Sequence, residues 1–485
     1  MTPALLTTLH RESGLASLSA TGRDALLIIL ARSCRMFAYG ASSLVLALFF
    51  AELGFPDSRI GLFMTLTLAG DVALTLGLTL VADRVGRRNT LLVGAGLMIV
   101  SGVCFAVCER FWVLLGAAVV GVISATGGDF GPFRAVEESI VAELTDGGSR
   151  ADVLVWYVTV ASLGSAAGTD LSGRIVEGLT GRGWTLVESY HGCFWLYAVM
   201  GGVNVVCALM LSERCELKAG SGGQGGEVQD GEREPLLDGR DQHAVEEVAA
   251  PADDAKQPPK QRRAGWVAQI SRESLSIMTV LWFLLMVDSL ADGMANMSLT
   301  TYYVDQKFHL PKSALGDIIS SSYLLASLTN IFAGPLARYI GLVNTMVFTH
   351  IPSSAAVLLF PLAKTVPLTI ALLLVRVGLN NMDQAPRAAL IAAVVRPEER
   401  TAVMGITGML RTLASTTGPT ITGVLADGNR FWVAFVVAGA LRLAYDVGLF
   451  AMFINIKLHK HEEGGEGAEG VVEGRQQERE SRAEP

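Results

Sequence analysis

The chain has 485 residues and a formal net charge of -8 at pH 7; 51% of residues are hydrophobic and only 17% charged, against about 25% charged in an ordinary soluble protein. With a mean hydropathy of +0.43, it has too little polar surface to cover a water-facing exterior, which excludes a soluble globular fold for the whole. Much of the charge lies in two stretches, 212–272 and 457–485, so the acidic balance reflects solvated segments and implies neither a basic ligand nor a nucleic-acid partner.

A helix crossing a bilayer core about 30 Å thick needs about 20 apolar residues. Runs of that kind fall near 24–50, 57–82, 88–108, 111–135, 151–174, 191–211, 275–303, 313–337, 342–362, 366–391, 400–425 and 430–455. The first is no signal peptide: it starts late, is too long, and holds Arg32 and Arg35. Turn residues such as Gly54-Phe55-Pro56-Asp57, Gly147-Gly148-Ser149 and Asp427-Gly428-Asn429 separate neighbouring runs, and such short loops make those neighbours antiparallel. The expected fold is an all-α polytopic membrane protein of twelve transmembrane helices in two six-helix halves. Its parts are a cytosolic N-terminal segment (1–23), a first half (24–211), a linker (212–272) too polar to bury a core, a second half (273–456) and an acidic tail (457–485). With both termini cytosolic, that side carries about 25 basic residues and the other about eight, the positive-inside asymmetry. The six cysteines lie mostly in apolar runs without paired metal-ligand spacing and read as reduced packing residues.

The halves repeat. Asp129 and Pro132 recur 254 positions on as Asp383 and Pro386, Gly168 and Gly173 recur 250 positions on as Gly418 and Gly423, and Gly86 recurs 255 positions on as Gly341. Near-constant offsets along an ordered set of helices indicate a parallel duplication.

Between the second and third spans the chain reads Asp83-Arg84-Val85-Gly86-Arg87-Arg88. This resembles the cytosolic loop G-x-L-A-D-R-x-G-R-R of the major facilitator superfamily, with Thr79 at the first glycine; the counterpart beginning Gly334-Pro335 has Arg338 in place of the Asp. The resemblance covers residues 24–455 and implies alternating-access transport, with Asp83, Arg84, Gly86, Arg87 and Arg88 as a gating latch. It also offers Glu137 or Glu138 as the partner of Arg84 or Arg87; the local alternative is a salt bridge to Arg134 at helical spacing. The family's sugar-carrier signature after the sixth span is absent, since Glu213-Arg214-Cys215-Glu216 stands there, and the exporter-type Gly-Pro lies on the eleventh span (Gly418-Pro419) rather than the fifth.

A charge at the middle of a span costs about 2.5–3.5 kcal/mol on insertion scales, so each needs a reason. The candidates for solute or proton binding are Arg35, Asp71, Asp129, Asp170, Asp288, Asp292 and Arg376; Arg411, Arg442 and Asp446 are further charges within spans. Asp288 and Asp292 share one face of the seventh helix, with Asn296 a turn beyond, and two like charges one turn apart suit a group that binds and releases a proton. Arg35 reads as a ligand for an anionic group or as the counter-charge of Asp71. Arg442 and Asp446, also one turn apart, read as a pair on a peripheral helix.

The expected function is proton-coupled export or exchange of a small organic solute by a monomer in the bilayer. The alternatives are an uptake symporter for an organic acid or amino-acid-like solute, with Arg35 and Arg376 on its carboxylate, and a non-transporting sensor. No P-loop, H-E-x-x-H or dinucleotide loop points to an enzyme, and neither a cofactor nor a metal is expected. The plasma membrane is the expected location; Glu232-Arg233-Glu234-Pro235-Leu236-Leu237 fits an acidic dileucine signal, which would direct the chain to vacuolar or endosomal membranes. Protease added to sealed right-side-out cells should spare the linker, and cleavage there would invert the topology. Asp83→Asn should slow transport sharply while leaving insertion intact; unchanged flux would reduce the loop to an anchor.

Overall fold

The computed structural model describes residues 21–121, 132–145, 150–216, 272–383 and 400–453, with Leu18, Ile123, Pro386, Arg387, Leu390 and Ile391 besides. Most of the N-terminal segment, nearly all of the linker and the whole acidic tail lie outside these residues. Fourteen helices follow in chain order: α1 (Arg23–Glu52), α2 (Asp57–Val85), α3 (Arg87–Val107), α4 (Phe111–Val120), α5 (Pro132–Leu144), α6 (Arg150–Thr180), α7 (Leu186–Met210), α8 (Arg272–Met294), α9 (Met297–Phe308), α10 (Lys312–Ile340), α11 (Leu342–Leu359), α12 (Val366–Asn380), α13 (Arg400–Asp427) and α14 (Phe431–Phe453). They are consistent with twelve spans, α8 and α9 forming one broken span and α4 and α5 lying on either side of residues outside the described ones. Six of these helices are long and apolar enough to cross a membrane on that evidence alone.

The seventh span reads as continuous in sequence, and it is interrupted. In the seventh, Asn296 does not extend the acidic face; it leaves the helix and caps α9, its side chain accepting from Leu299 N at 2.9 Å. The freed Ala295 carbonyl at the end of α8 accepts from the guanidinium of Arg376, which also donates to Thr300 Oγ1 at 2.8 Å. A broken backbone is tolerated at membrane depth only when its polar groups find partners, and a cation at a helix C-terminus is favourably placed in the helix dipole.

The recurring glycines make equivalent contacts in the two halves. Gly168 on α6 meets the Phe37 carbonyl of α1, and Gly418 on α13 meets the backbone of Gly293 and Met294 on α8. One turn and a half further on, Gly173 meets α10 at Lys312 and Gly316, and Gly423 meets α2 at Asp57 and Gly61. The first pair of contacts builds each half; the second joins the halves. Gly86 and Gly341, at φ 95° and 88°, make the matching reversals from α2 to α3 and from α10 to α11, a backbone region in which a side chain is strained.

The two inter-half seams are tight at the face of the bundle opposite the linker. There Tyr302 Oη donates to Asp57 Oδ1 at 2.7 Å, Arg174 on α6 pairs with Asp317 on α10 at 2.8 Å, and Ser313 N donates to Glu177 at 3.0 Å. Beneath them stand two aromatic clusters, Phe49, Phe50, Phe63, Phe105 and Phe194 in one half and Tyr303, Phe360, Phe431 and Phe435 in the other. Trp112, Trp184 and Trp432 are at least half exposed near the loops of this face, where amphipathic rings favour a membrane interface. The far face is therefore closed in this structure. A β-carbon at Gly173 would overlap the Lys312 carbonyl oxygen, so Gly173→Leu should cost about 1–3 kcal/mol, read as a lowered melting temperature of the purified protein; an unchanged melt would deny the seam.

Candidate functional site

The largest concentration of buried charge lies in the second half. His350 is the one ionisable side chain on α11 and is buried. Its Nδ1 lies 2.7 Å from Asp446 Oδ1 on α14, and its Nε2 lies 2.8 Å from Arg442 Nη2, one turn earlier on the same helix. A guanidinium can only donate, so Nε2 must be the acceptor and Nδ1 carries the hydrogen given to Asp446. The imidazole is thereby set neutral. Ser354 Oγ donates to the other Asp446 oxygen at 2.7 Å.

Arg442 is the hub. Besides His350 it binds Asn380 Oδ1 on α12, reaches Asp292 Oδ1 on α8 at 3.0 Å, and holds Nε 4.0 Å from Asp288 Oδ1. Asp288 also lies 3.6 Å from His350 Nε2. The two carboxylates differ in access: the Asp288 side chain is 1% exposed and that of Asp292 38%. Asp292 thus fronts the group while Asp288 sits behind it. Asp383 and Arg387, both buried, form an ion pair one helical turn apart, and Arg411 on α13 donates to Ser289 Oγ at 3.1 Å. The expected mutual pair of Arg442 and Asp446 is thus replaced by separate partners on neighbouring helices, and α14 belongs to the charged interior.

In the first half, Arg35 on α1 and Glu137 on α5 make a buried two-pronged ion pair at 2.8 and 2.7 Å, and Tyr157 Oη donates to the same carboxylate at 2.8 Å. Phe133 stacks on the Arg35 guanidinium at 4.6 Å and Tyr157 on that of Arg32 at 3.8 Å. Glu137 therefore answers Arg35, not the latch arginines, while Glu138 takes the local bond to Arg134 at 2.7 Å. The latch arginine Arg87 pairs instead with Glu143 at 2.7 Å. Glu216, just beyond α7, accepts from the backbone of Arg87 and Arg88 at 2.8 and 3.1 Å and caps α3. The neighbouring Cys215 thiol is pushed up to about 11 by burial.

Asp83 and Arg84 close α2 with side chains outside the described ones, and Asp129 lies outside the described residues. Asp71 is half-buried on α2. Asp170 sits at the far-face seam, half-buried and paired with Arg174 at 3.0 Å, and Arg376 holds the break in the seventh span. Of the sequence-derived candidates, the fold brings together Asp288, Asp292 and Arg376. Sequence reasoning passed over His350, Ser354, Asn380, Asp383 and Arg387 as members of the site. A histidine alone in an apolar span was the available signal, because an ionisable group there requires a partner.

The Major Facilitator Superfamily model matches residues 28–275 and 281–481. An uncharacterized membrane protein of Saccharomyces cerevisiae is 32% identical over 444 residues, which make up 90% of this chain and 95% of the yeast protein. Among solved structures, a mutant of the nucleoside transporter NupG aligns with TM-score 0.64 at 13% identity, covering 89% of this chain and 100% of that one. A bacterial homologue of the human lysosomal transporter Spinster aligns with TM-score 0.59 at 13% identity, covering 88% and 94%. A bacterial homologue of the human drug peptide transporters does so with TM-score 0.61 at 14% identity, covering 88% and 96%. At those identities the structures speak for the fold alone. Family match, yeast relative and twelve-span architecture agree: the chain belongs to the major facilitator superfamily, as a multi-pass membrane transporter and not an enzyme.

Proposed function

We propose that the protein is a proton-coupled secondary transporter of a small organic solute, acting as a monomer by alternating access, with Asp288, Asp292, His350, Arg442 and Asp446 as its coupling element. The observation that carries this reading is the unbroken buried chain from Asp446 through His350 and Arg442 to Asp292, whose outer end alone is open. A proton arriving at Asp292 removes the charge that holds Arg442 there. Arg442 then gains by turning toward Asp288, 4.0 Å away. That turn uncovers His350 Nε2, which lies 3.6 Å from Asp288 and can share a proton with it once no guanidinium hydrogen faces it. Loading and unloading are thereby tied to a rearrangement across α8, α11, α12 and α14, which suits two halves that rock about a central site.

The direction of net transport follows from which side supplies protons. In this reading the plasma membrane is the location, and use of the acidic dileucine pattern would move the protein to a vacuolar or endosomal one. Glu137 occupies Arg35, one of the two groups that sequence reasoning had reserved for a carboxylate.

In liposomes, Asp288→Asn and Asp292→Asn should each abolish accumulation driven by a pH gradient, while solute-for-solute counterflow survives because it moves no net proton. Proton-dependent accumulation by the double variant would place coupling elsewhere, with Asp71, Asp129 and Asp170 next in line.

A further inference from the structure

Among the described residues, the buried charges of the second half form one electrostatically connected set. Four guanidiniums, Arg376, Arg387, Arg411 and Arg442, share the field of four carboxylates, Asp288, Asp292, Asp383 and Asp446. With His350 neutral, as its partners require, the set is balanced. The pairing within it is uneven. Arg387 has Asp383, Arg442 has Asp292, and Asp446 is held by His350 and Ser354, but Arg376 and Arg411 have no carboxylate within 4 Å among the described residues. Both feel Asp292, the one of the four carboxylates whose side chain is substantially exposed.

The charged groups around Asp292 come from five helices. They are Asp288 on its own helix, Arg442 on α14, Arg411 on α13, and Arg376 on α12, with His350 on α11 behind Asp288. Resting on the coupling role given above to Asp292, we propose that the solute is an organic monoanion, whose carboxylate takes over from Asp292 on Arg442, Arg376 and Arg411 when Asp292 accepts a proton. The proton comes from water reaching the exposed side chain and forms the O–H bond of Asp292. The anion then replaces the charge that bond has removed.

Charge balance selects the solute class. Protonation of Asp292 leaves the buried set one positive charge in excess, and unpaired charge in a low-dielectric interior is strongly disfavoured. A monoanion restores neutrality, a neutral solute leaves the excess in place, a cation doubles it, and a dianion overshoots. Proton and anion therefore enter and leave together, so transport is an electroneutral symport of one proton with one anion. Of the two transport modes open to the sequence, this selects the organic-acid symporter and supplies a binding site for it different from Arg35.

The test uses the full-length purified chain and a panel of lactate, benzoate, succinate, glucose and choline. Thermal stabilisation is expected from one or both monoanions, lactate and benzoate, and should be stronger at pH 5.5 than at pH 7.5. In liposomes the stabilising anion should enter with one proton each, read by labelled solute and entrapped pyranine, and a potassium–valinomycin potential should leave the rate unchanged. Asp292→Asn should bind that anion with its pH dependence lost, and Arg376→Gln or Arg411→Gln should weaken binding about tenfold or more. Asp292→Glu, which keeps the carboxylate, should restore pH dependence and so separates this role from a merely structural one. Stabilisation by neither monoanion, flux that follows the imposed potential, or loss of binding in Asp292→Asn would overturn the proposal. Proton-driven flux of glucose or choline would overturn the anion assignment and leave proton coupling standing; anion flux indifferent to the pH gradient would overturn the coupling and leave the anion assignment standing.

Discussion

Everything in the second half turns on one guanidinium. Arg442 is buried, cannot shed its charge, and so must be answered on every side. It draws Asp292 from α8, the His350 nitrogen from α11 and the Asn380 amide oxygen from α12 onto a single point. Because it occupies His350 Nε2, it fixes the tautomer; because the tautomer is fixed, Asp446 receives a donated hydrogen and remains the second anchor of the ring. Four helices, α8, α11, α12 and α14, are tied together by this chain of obligations, and loss of a charged partner would leave a buried charge unanswered.

The duplication shows how a similar frame comes to do different work in each half. Gly40 on α1 packs on the Ser165 carbonyl, and Gly293 on α8 packs on the Ser415 carbonyl. That correspondence, 253 positions along the chain, carries Arg35 onto Asp288. The first half thus presents a cation from its leading helix to a glutamate of its fourth span. The second presents a carboxylate from its leading helix to Arg442, His350 and the field of Arg387. Backbone packing has been retained while the sign of the buried charge has been reversed.

Most of the fold was legible in the sequence because bilayer-spanning helices must be long, apolar and punctuated. The repeat glycines were legible too, and their contacts show why the offsets hold: two helices cannot approach backbone to backbone with a β-carbon between them. The site was legible only where its signal was local. Asp288 and Asp292 share a helix face, and spacing alone reveals that. Spacing misled at Arg442 and Asp446, where the same four-residue interval suggested a mutual pair, because each side chain leans toward better partners on other helices. The same holds for Glu137, whose partner lies 102 positions away on α1. Contacts between helices distant in sequence leave no periodic trace. The break in the seventh span was hidden for a related reason: an Asn among small residues looks like ordinary helix until Arg376 is seen to take up the freed Ala295 carbonyl and Leu299 N the Asn296 side chain.

The two charged centres also differ in how completely they are satisfied, and that difference assigns them different roles in motion. Arg35 and Glu137 meet through two short bonds with Tyr157 on the same carboxylate and Phe133 over the guanidinium. Such a planar fork loses a great deal if it slides, so it behaves as a rivet between α1 and α5. Around Arg442 the contacts are graded, at 2.8, 3.0 and 4.0 Å, and two carboxylates one turn apart compete for the same cation. Under the proposed coupling, a cation shared between two anions changes partner when one of them takes up a proton. A transporter needs one half that keeps its shape and a centre that can exchange partners without leaving charge unpaired. In the proposed mechanism the saturated pair in the first half meets the former requirement, and the contested arginine in the second meets the latter.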